Sequence, residues 1–136
     1  MPSGSCLCQQ LKYEFTGEPT MKALCHCLTC QKVTGSAFSS NLLIPIDSFH
    51  VTQGTPKQVD TTHENGMRIT LHMCAECGTM IYKEGDSDDL KGMAIVQAGT
   101  LDEGLSSANP DAELWIKHRP EWLGELKGVG QAVEFQ

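Results

Sequence analysis

"MRITLHMCAECGTMIYKE", residues 67–84, reads as two strands joined by a cysteine turn. Met67, Ile69, Leu71 and Met73 alternate with Arg68, Thr70 and His72, the period-2 pattern of a half-buried strand. The face carrying Arg68 and Thr70 is then the wet one, so His72 is expected at the surface. Cys74 and Cys77 follow as C-x-x-C, a turn that points both sulfurs at one ion. Gly78 comes next, where such a knuckle needs positive φ. "TMIYKE" returns, so the segment predicts a hairpin with a metal at its tip.

Working outward, the chain has seven cysteines in three groups: Cys6 with Cys8, then Cys25, Cys27 and Cys30, then Cys74 with Cys77. An odd count cannot complete a disulfide framework, and gaps of one and two residues have no packing reason. Metal ligation explains the clustering. In "CLCQQLKYEF", residues 6–15, Leu7, Gln9, Leu11, Tyr13 and Phe15 alternate with Cys6, Cys8, Gln10, Lys12 and Glu14. Read as a strand, this puts both sulfurs of the C-x-C on one face. Two pairs supply four ligands, so Cys6, Cys8, Cys74 and Cys77 make a closed structural zinc site. It closes a loop of about 70 residues, where a cross-link constrains the unfolded chain strongly.

The remaining trio lies in "LCHCLTCQK", residues 24–32. Cys25 and Cys27 leave one side of an extended segment, and a turn through Leu28 and Thr29 brings Cys30 back. Three protein ligands with an open fourth position is the arrangement of a catalytic zinc. A rival partition joins Cys74 and Cys77 to two of the trio and strands Cys6 and Cys8, leaving a lone cysteine and a two-ligand site. A histidine can also fill the fourth position. His26 is too near the chelate to turn inward; His72 and His118 are candidates. A lone histidine is more often a hydrogen-bonded structural residue, the default for His118.

The rest of the chain sets bounds. At 136 residues, 40% hydrophobic and 20% charged, it reads as one globular domain over 1–136, with a core at 3–123 and a tail at 124–136. No run of about 18 apolar residues appears, so no membrane span is expected. "MPSGSCLCQQ" has neither a basic n-region nor an apolar h-region, which makes the cytoplasm the default compartment. Net charge is −7, and two Zn²⁺ on seven thiolates would take it to −10, which repels phosphate backbones and argues against nucleic acid. Strands are predicted near 8–15, 38–44, 49–52, 67–73, 79–83 and 93–98, with a short helix after Cys30 and a turn at "RPEWL". Trp115 and Trp122 read as core or lid packing, and Glu76 as a solvent-facing knuckle residue. The Gly-rich tail is expected to be held by a homodimer contact or by folding back onto the sheet.

"SGSCLCQQLKYEF", "CHCLTCQKVTGSAFSSNLLIP", "CAECGTMIY", "VQAGTLD" and "AELWIKHRPEWL" together resemble the glutathione-dependent formaldehyde-activating enzyme and centromere protein V family. The resemblance runs from about Ser3 to Leu123, and all seven cysteines fall where the family places them. It implies a mainly β fold with antiparallel sheets of the beta-tent type, short helical turns and two zinc sites. It implies a structural zinc on Cys6, Cys8, Cys74 and Cys77 and a second zinc on Cys25, Cys27 and Cys30. The activity it implies is a carbon–sulfur lyase that joins glutathione to formaldehyde.

The trio's chemistry also stands without the family. Three thiolates on Zn²⁺ leave net charge −1 and a weak Lewis acid, which suits an incoming soft thiol better than water. A thiolate held there can attack an aldehyde carbon or leave from a hemithioacetal. Glutathione carries two carboxylates and an amine, so Gln31, Lys32, Thr34, Gly35 and Ser36, directly after Cys30, are the candidate substrate contacts. Lys32 is otherwise a solvated charge and "TGS" a plain turn. No general base stands out, and no nucleotide-binding motif appears. Two readings follow: an enzyme acting on a thiol and its aldehyde adducts, or a non-catalytic binding module with both zincs structural.

Overall fold

The computed structural model describes residues 1–136 and is mainly β. A small sheet holds β1 (Ser3–Ser5), β2 (Lys12–Phe15) and β5 (Phe49–Gln53), antiparallel in the order β1-β2-β5. The large sheet adds β3 (Met21–Cys25), β4 (Ser39–Pro45), β6 (Lys57–Thr62), β7 (Arg68–Met73), β8 (Met80–Gly85), β9 (Met93–Gln97), β10 (Ala112–Leu114) and β11 (Gly130–Gln131). Its order is β11-β10-β3-β4-β9-β8-β7-β6. The pairings are antiparallel except at one edge, where β10 runs parallel to both β3 and β11, so this sheet is mixed. The single α-helix, α1 (Leu28–Thr34), follows β3. No helix is long and apolar enough to cross a membrane.

The large sheet is covered on both faces. Leu42, Ile44, Ala94, Val96 and Tyr82 meet Tyr13, Phe15 and Phe49 of the small sheet in one core, which also contains Cys6 and Cys74. The other face carries the side chains one residue away along the same strands, among them Leu43, Ile95, Leu71 and Ile69, which pack with Met67 and Leu90. This explains why His72 is not the surface residue expected. It is 3% exposed, stacked on Tyr82 with ring centroids 4.0 Å apart, and its Nε2 lies 2.7 Å from Glu84. Only the His72 end of the face read as wet is covered, through Tyr82 packed on Phe49 of the small sheet, while Arg68 stays exposed and Thr70 half-buried.

The hairpin of β7 and β8 forms as the alternation predicts, with Leu71 opposite Lys83 and His72 opposite Tyr82. Gly78 takes φ +77° in its knuckle. The long N-terminal strand does not form. Only Lys12–Phe15 is extended, and Cys6–Leu11 is a turn. Gln9 adopts φ +65°, Leu11 donates its N–H to Cys6 Sγ at 3.3 Å, and Cys6 donates its N–H to Leu11 O. A sulfur drawing in backbone N–H groups competes with the strand ladder, and the apolar alternation cannot reveal that.

The tail does not wander. After the "RPEWL" turn, where Leu123 N–H meets Pro120 O, it returns as β11, and Trp115 N–H bonds Glu134 O. Phe135 then packs edge-on against Trp115, centroids 5.5 Å apart. Of the two ways to hold it, fold-back onto the sheet is the one seen.

Candidate metal centres and their surroundings

Cys6, Cys8, Cys74 and Cys77 offer four sulfurs that all lie within 4.8 Å of one another. Cys6 and Cys8 sulfurs are 3.5 Å apart, and Cys8 and Cys74 sulfurs 3.7 Å. Four sulfurs each about 2.3 Å from one tetrahedral ion stand about 3.8 Å apart, so the set fits a zinc-sized ion. The two knuckles are tied at Thr79, whose hydroxyl accepts the Leu7 N–H at 3.1 Å and lies 3.2 Å from Cys77 Sγ. That Thr79 contact, with backbone N–H groups, holds the Cys77 thiol down at about 5. A group held as thiolate is a group ready to ligate.

Cys25, Cys27 and Cys30 form the second cluster, all buried and also within 4.8 Å of one another. Strand β3 delivers Cys25 at its end. Cys27 then caps α1, its extended backbone turning the chain and its sulfur accepting the Cys30 N–H at 3.2 Å. One turn of helix brings Cys30 back beside the other two. Taken as thiols, the three hold their protons unequally. Hydrogen bonds from Cys25 and Cys27 keep Cys30 well below the usual thiol range despite burial, and Lys83 adds to this. Cys27 and Cys30 push Cys25 up. A soft dication in place of those protons resolves the competition, so the donor set fits the second zinc as well.

Lys83 is the feature the sequence reading missed. It is 4% exposed and its Nζ stands 3.4 Å from Cys30 Sγ. The signal was in the hairpin pairing, which sets Lys83 opposite Leu71, and β9 adds Ile95, on the apolar face. A charge on that face needs a partner, and the thiolates supply it. Lys83, His63, Asn41 and the trio open on a cavity of about 40 Å³, otherwise walled by apolar side chains such as Leu43, Ile69, Leu114 and Phe135.

The five expected substrate contacts lie outside this cavity. Gln31, Gly35 and Ser36 line an open groove of about 720 Å³ with His118, Phe38 and Trp122. Trp122 is 78% exposed there, so it is not a core residue. The Gln31 amide donates to the carbonyls of His26 and His118, at 3.0 and 3.2 Å. Lys32 lies in a second groove beside Glu64 and Thr62. Thr34 is spent on the helix end, donating to Cys30 O and accepting the Ser36 N–H. Glu76 is exposed as expected, and His118 is structural, its Nε2 2.8 Å from Glu64.

Behind the trio, His26 is fully buried and turned away from the sulfurs, with Nε2 2.8 Å from Glu113. Glu113 also accepts from Gln131, Arg119 and the Leu126 N–H, so one carboxylate ties the cysteine loop at His26 to the tail. Burial raises its pKa, but the hydrogen bonds from Gln131, Leu126 and His26 outweigh this and hold it below the usual carboxylate range. Because the folded-state pKa is depressed, this stabilisation is present above the ordinary carboxylate range and is lost as pH falls below it. Glu113→Ala strands these donors and should cost about 3–5 kcal/mol, read as a lower urea midpoint at unchanged slope.

A mainly β chain with a four-cysteine clasp and a buried three-cysteine cluster defines a scaffold with two sets of sulfurs able to hold a metal ion. Residues 1–118 match the family model described as glutathione-dependent formaldehyde-activating enzyme, and the chain belongs to that family. No curated protein matches it in sequence. The crystal structure of a Rhodobacter sphaeroides protein is similar over 95% of this chain and 98% of its own, with a TM-score of 0.58 and 15% identity. At that identity the likeness speaks for the fold alone.

Proposed function

We propose that the chain is a carbon–sulfur lyase of the glutathione-dependent formaldehyde-activating type, with a structural zinc on Cys6, Cys8, Cys74 and Cys77 and a reactive zinc on Cys25, Cys27 and Cys30. The observation that carries this is three buried sulfurs and one buried ammonium on a single small apolar cavity. Bound to the trio, zinc would keep a substrate sulfur as thiolate at neutral pH. With a fourth thiolate such a centre would carry net charge −2, and Lys83, beside Cys30, would offset one unit of it. Sulfur adds to the aldehyde carbon, the carbonyl oxygen takes a proton, and a hydroxymethyl thioether results; the reverse breaks the same C–S bond.

Size supports a one-carbon aldehyde. A water needs about 10–15 Å³ of such space, so a cavity of about 40 Å³ holds a few small molecules and not a tripeptide. Only the thiol end of glutathione enters. Its carboxylates and amine stay outside, where the groove beside Cys30 offers the Ser36 hydroxyl as donor and the Gln31 amide oxygen as acceptor. The same burial also favours the second reading, a binding module whose trio is a closed structural site.

Exchange NMR separates them. With glutathione and ¹³C-formaldehyde at equilibrium, catalytic amounts of protein should speed interconversion of free formaldehyde and the hydroxymethyl adduct at least tenfold. An unchanged exchange rate, with both metals bound, would favour the binding module.

A further inference from the structure

We infer that His63 is the fourth protein group of the trio's metal centre, its Nε2 holding the fourth position until a substrate thiolate displaces it. His63 is 3% exposed, and its Nε2 is buried with no hydrogen-bond partner. The ring walls the cavity on which the three sulfurs open, and a ring nitrogen lies within 4.8 Å of Cys27 Sγ. An imidazole nitrogen is not left dry and unpartnered without a reason. The other buried histidines each spend Nε2 on a carboxylate: His26 on Glu113 and His72 on Glu84. His26 and His72 each leave a buried Nδ1 unpartnered, but neither stands in a cluster of ligand atoms, whereas His63 keeps Nε2 free and lies beside Cys27.

Its surroundings are those of a metal-facing histidine. A ligating imidazole donates its other N–H to a fixed acceptor, which sets tautomer and ring orientation. Asn65 Oδ1 stands 3.0 Å from His63 Nδ1. That oxygen is itself fixed, because it accepts the Met67 N–H at 2.9 Å. The Asn65 N–H approaches the same nitrogen at 3.1 Å, so Asn65 offers Nδ1 both an acceptor and a donor and serves the ring with or without a metal on Nε2. Trp115 and Phe135 pack on the ring, with centroids 4.9 and 5.6 Å away, and hold its plane. Glu64 is near enough to compete, but its two oxygens are taken by the Leu28 N–H and His118.

The charge difference makes the position exchangeable. A neutral imidazole leaves the three-thiolate centre at −1, whereas a fourth thiolate takes it to −2, and Lys83 beside Cys30 favours the more negative state. The exchange rests on the thiol-substrate reading above; the ligation does not.

The test is cadmium-113 NMR on protein with ¹⁵N-labelled histidine rings. Two cadmium resonances are expected, one from the four-cysteine clasp without nitrogen coupling and one from the trio split by a single nitrogen. His63→Gln should remove the splitting and leave the clasp resonance in place, which reports that the variant is folded. Glutathione should shift the trio resonance and collapse its splitting. Absence of splitting in the wild type, or its persistence in His63→Gln, overturns the ligation. A glutathione shift without prior splitting overturns His63 while leaving the thiol reading standing. Splitting that ignores glutathione overturns the exchange and the thiol reading together.

Discussion

Cys74→Ala should abolish folding, not merely weaken it. A structural zinc contributes apparent free energy of about 10–16 kcal/mol, as large as the whole net stability of about 5–15 kcal/mol for a domain. Cys74 is 4% exposed in the core between the sheets, with its N–H on Thr79 O and its carbonyl accepting the Gly78 N–H. Removing its sulfur frees the Cys6–Cys8 turn, which alone carries the chain into β2. The clasp closes a loop from residue 8 to residue 74 across both sheets, so its loss is felt by the core that holds Tyr13, Phe49 and Tyr82 together. Far-UV circular dichroism should show no cooperative melt and metal analysis fewer than two ions per chain. A cooperative transition within a few degrees of wild type would show that the clasp is dispensable.

Cys27→Ala should do the opposite: the fold stays, and one metal equivalent goes. Cys27 has two jobs, as a member of the trio and as the cap whose sulfur accepts the Cys30 N–H. Losing the cap costs about 1 kcal/mol, which a domain survives. Losing one of three protein sulfurs should weaken metal retention more than 100-fold, beyond the 10–100-fold typical of changes around a site. Cys27→Ser isolates the two effects, since a hydroxyl restores the cap but is a hard donor. Metal content near one per chain for both variants, with a thermal midpoint higher for Ser than for Ala, is the expected result. Two ions per chain in Cys27→Ala would remove the trio from the account.

Much of this was legible in the residues. The cysteine spacing announced two clusters, and the alternation of residues 67–73 with the return at 79–83 found the hairpin that carries one of them. Gly78 betrayed its positive φ. Three things stayed hidden, each for a physical reason. Cys6–Leu11 looks like a strand because its apolar residues alternate, yet sulfur-centred hydrogen bonds fold it into a knuckle. His72 looked wet because one strand cannot say that a second sheet covers its end of that face. The hairpin pairing hinted that Lys83 is buried, but what it faces, and His63 as a site residue, stayed hidden because their partners are more than 30 positions away, at Cys30 and Cys27. The parallel edge of β3, β10 and β11 depends on the same long-range closure, and short strands of two or three residues carry no period to read.

The central claim is that the Cys25–Cys27–Cys30 centre admits a substrate sulfur at its fourth position. Cobalt substitution tests it most directly, because thiolate-to-cobalt charge transfer is visible and scales with the number of bound sulfurs. The account predicts that glutathione intensifies this band, that S-methylglutathione, with no thiolate to give, leaves it unchanged, and that Cys27→Ala abolishes the response while the clasp's own band remains. A spectrum indifferent to glutathione, in protein holding two cobalt ions per chain, would contradict it and make the trio a closed structural site.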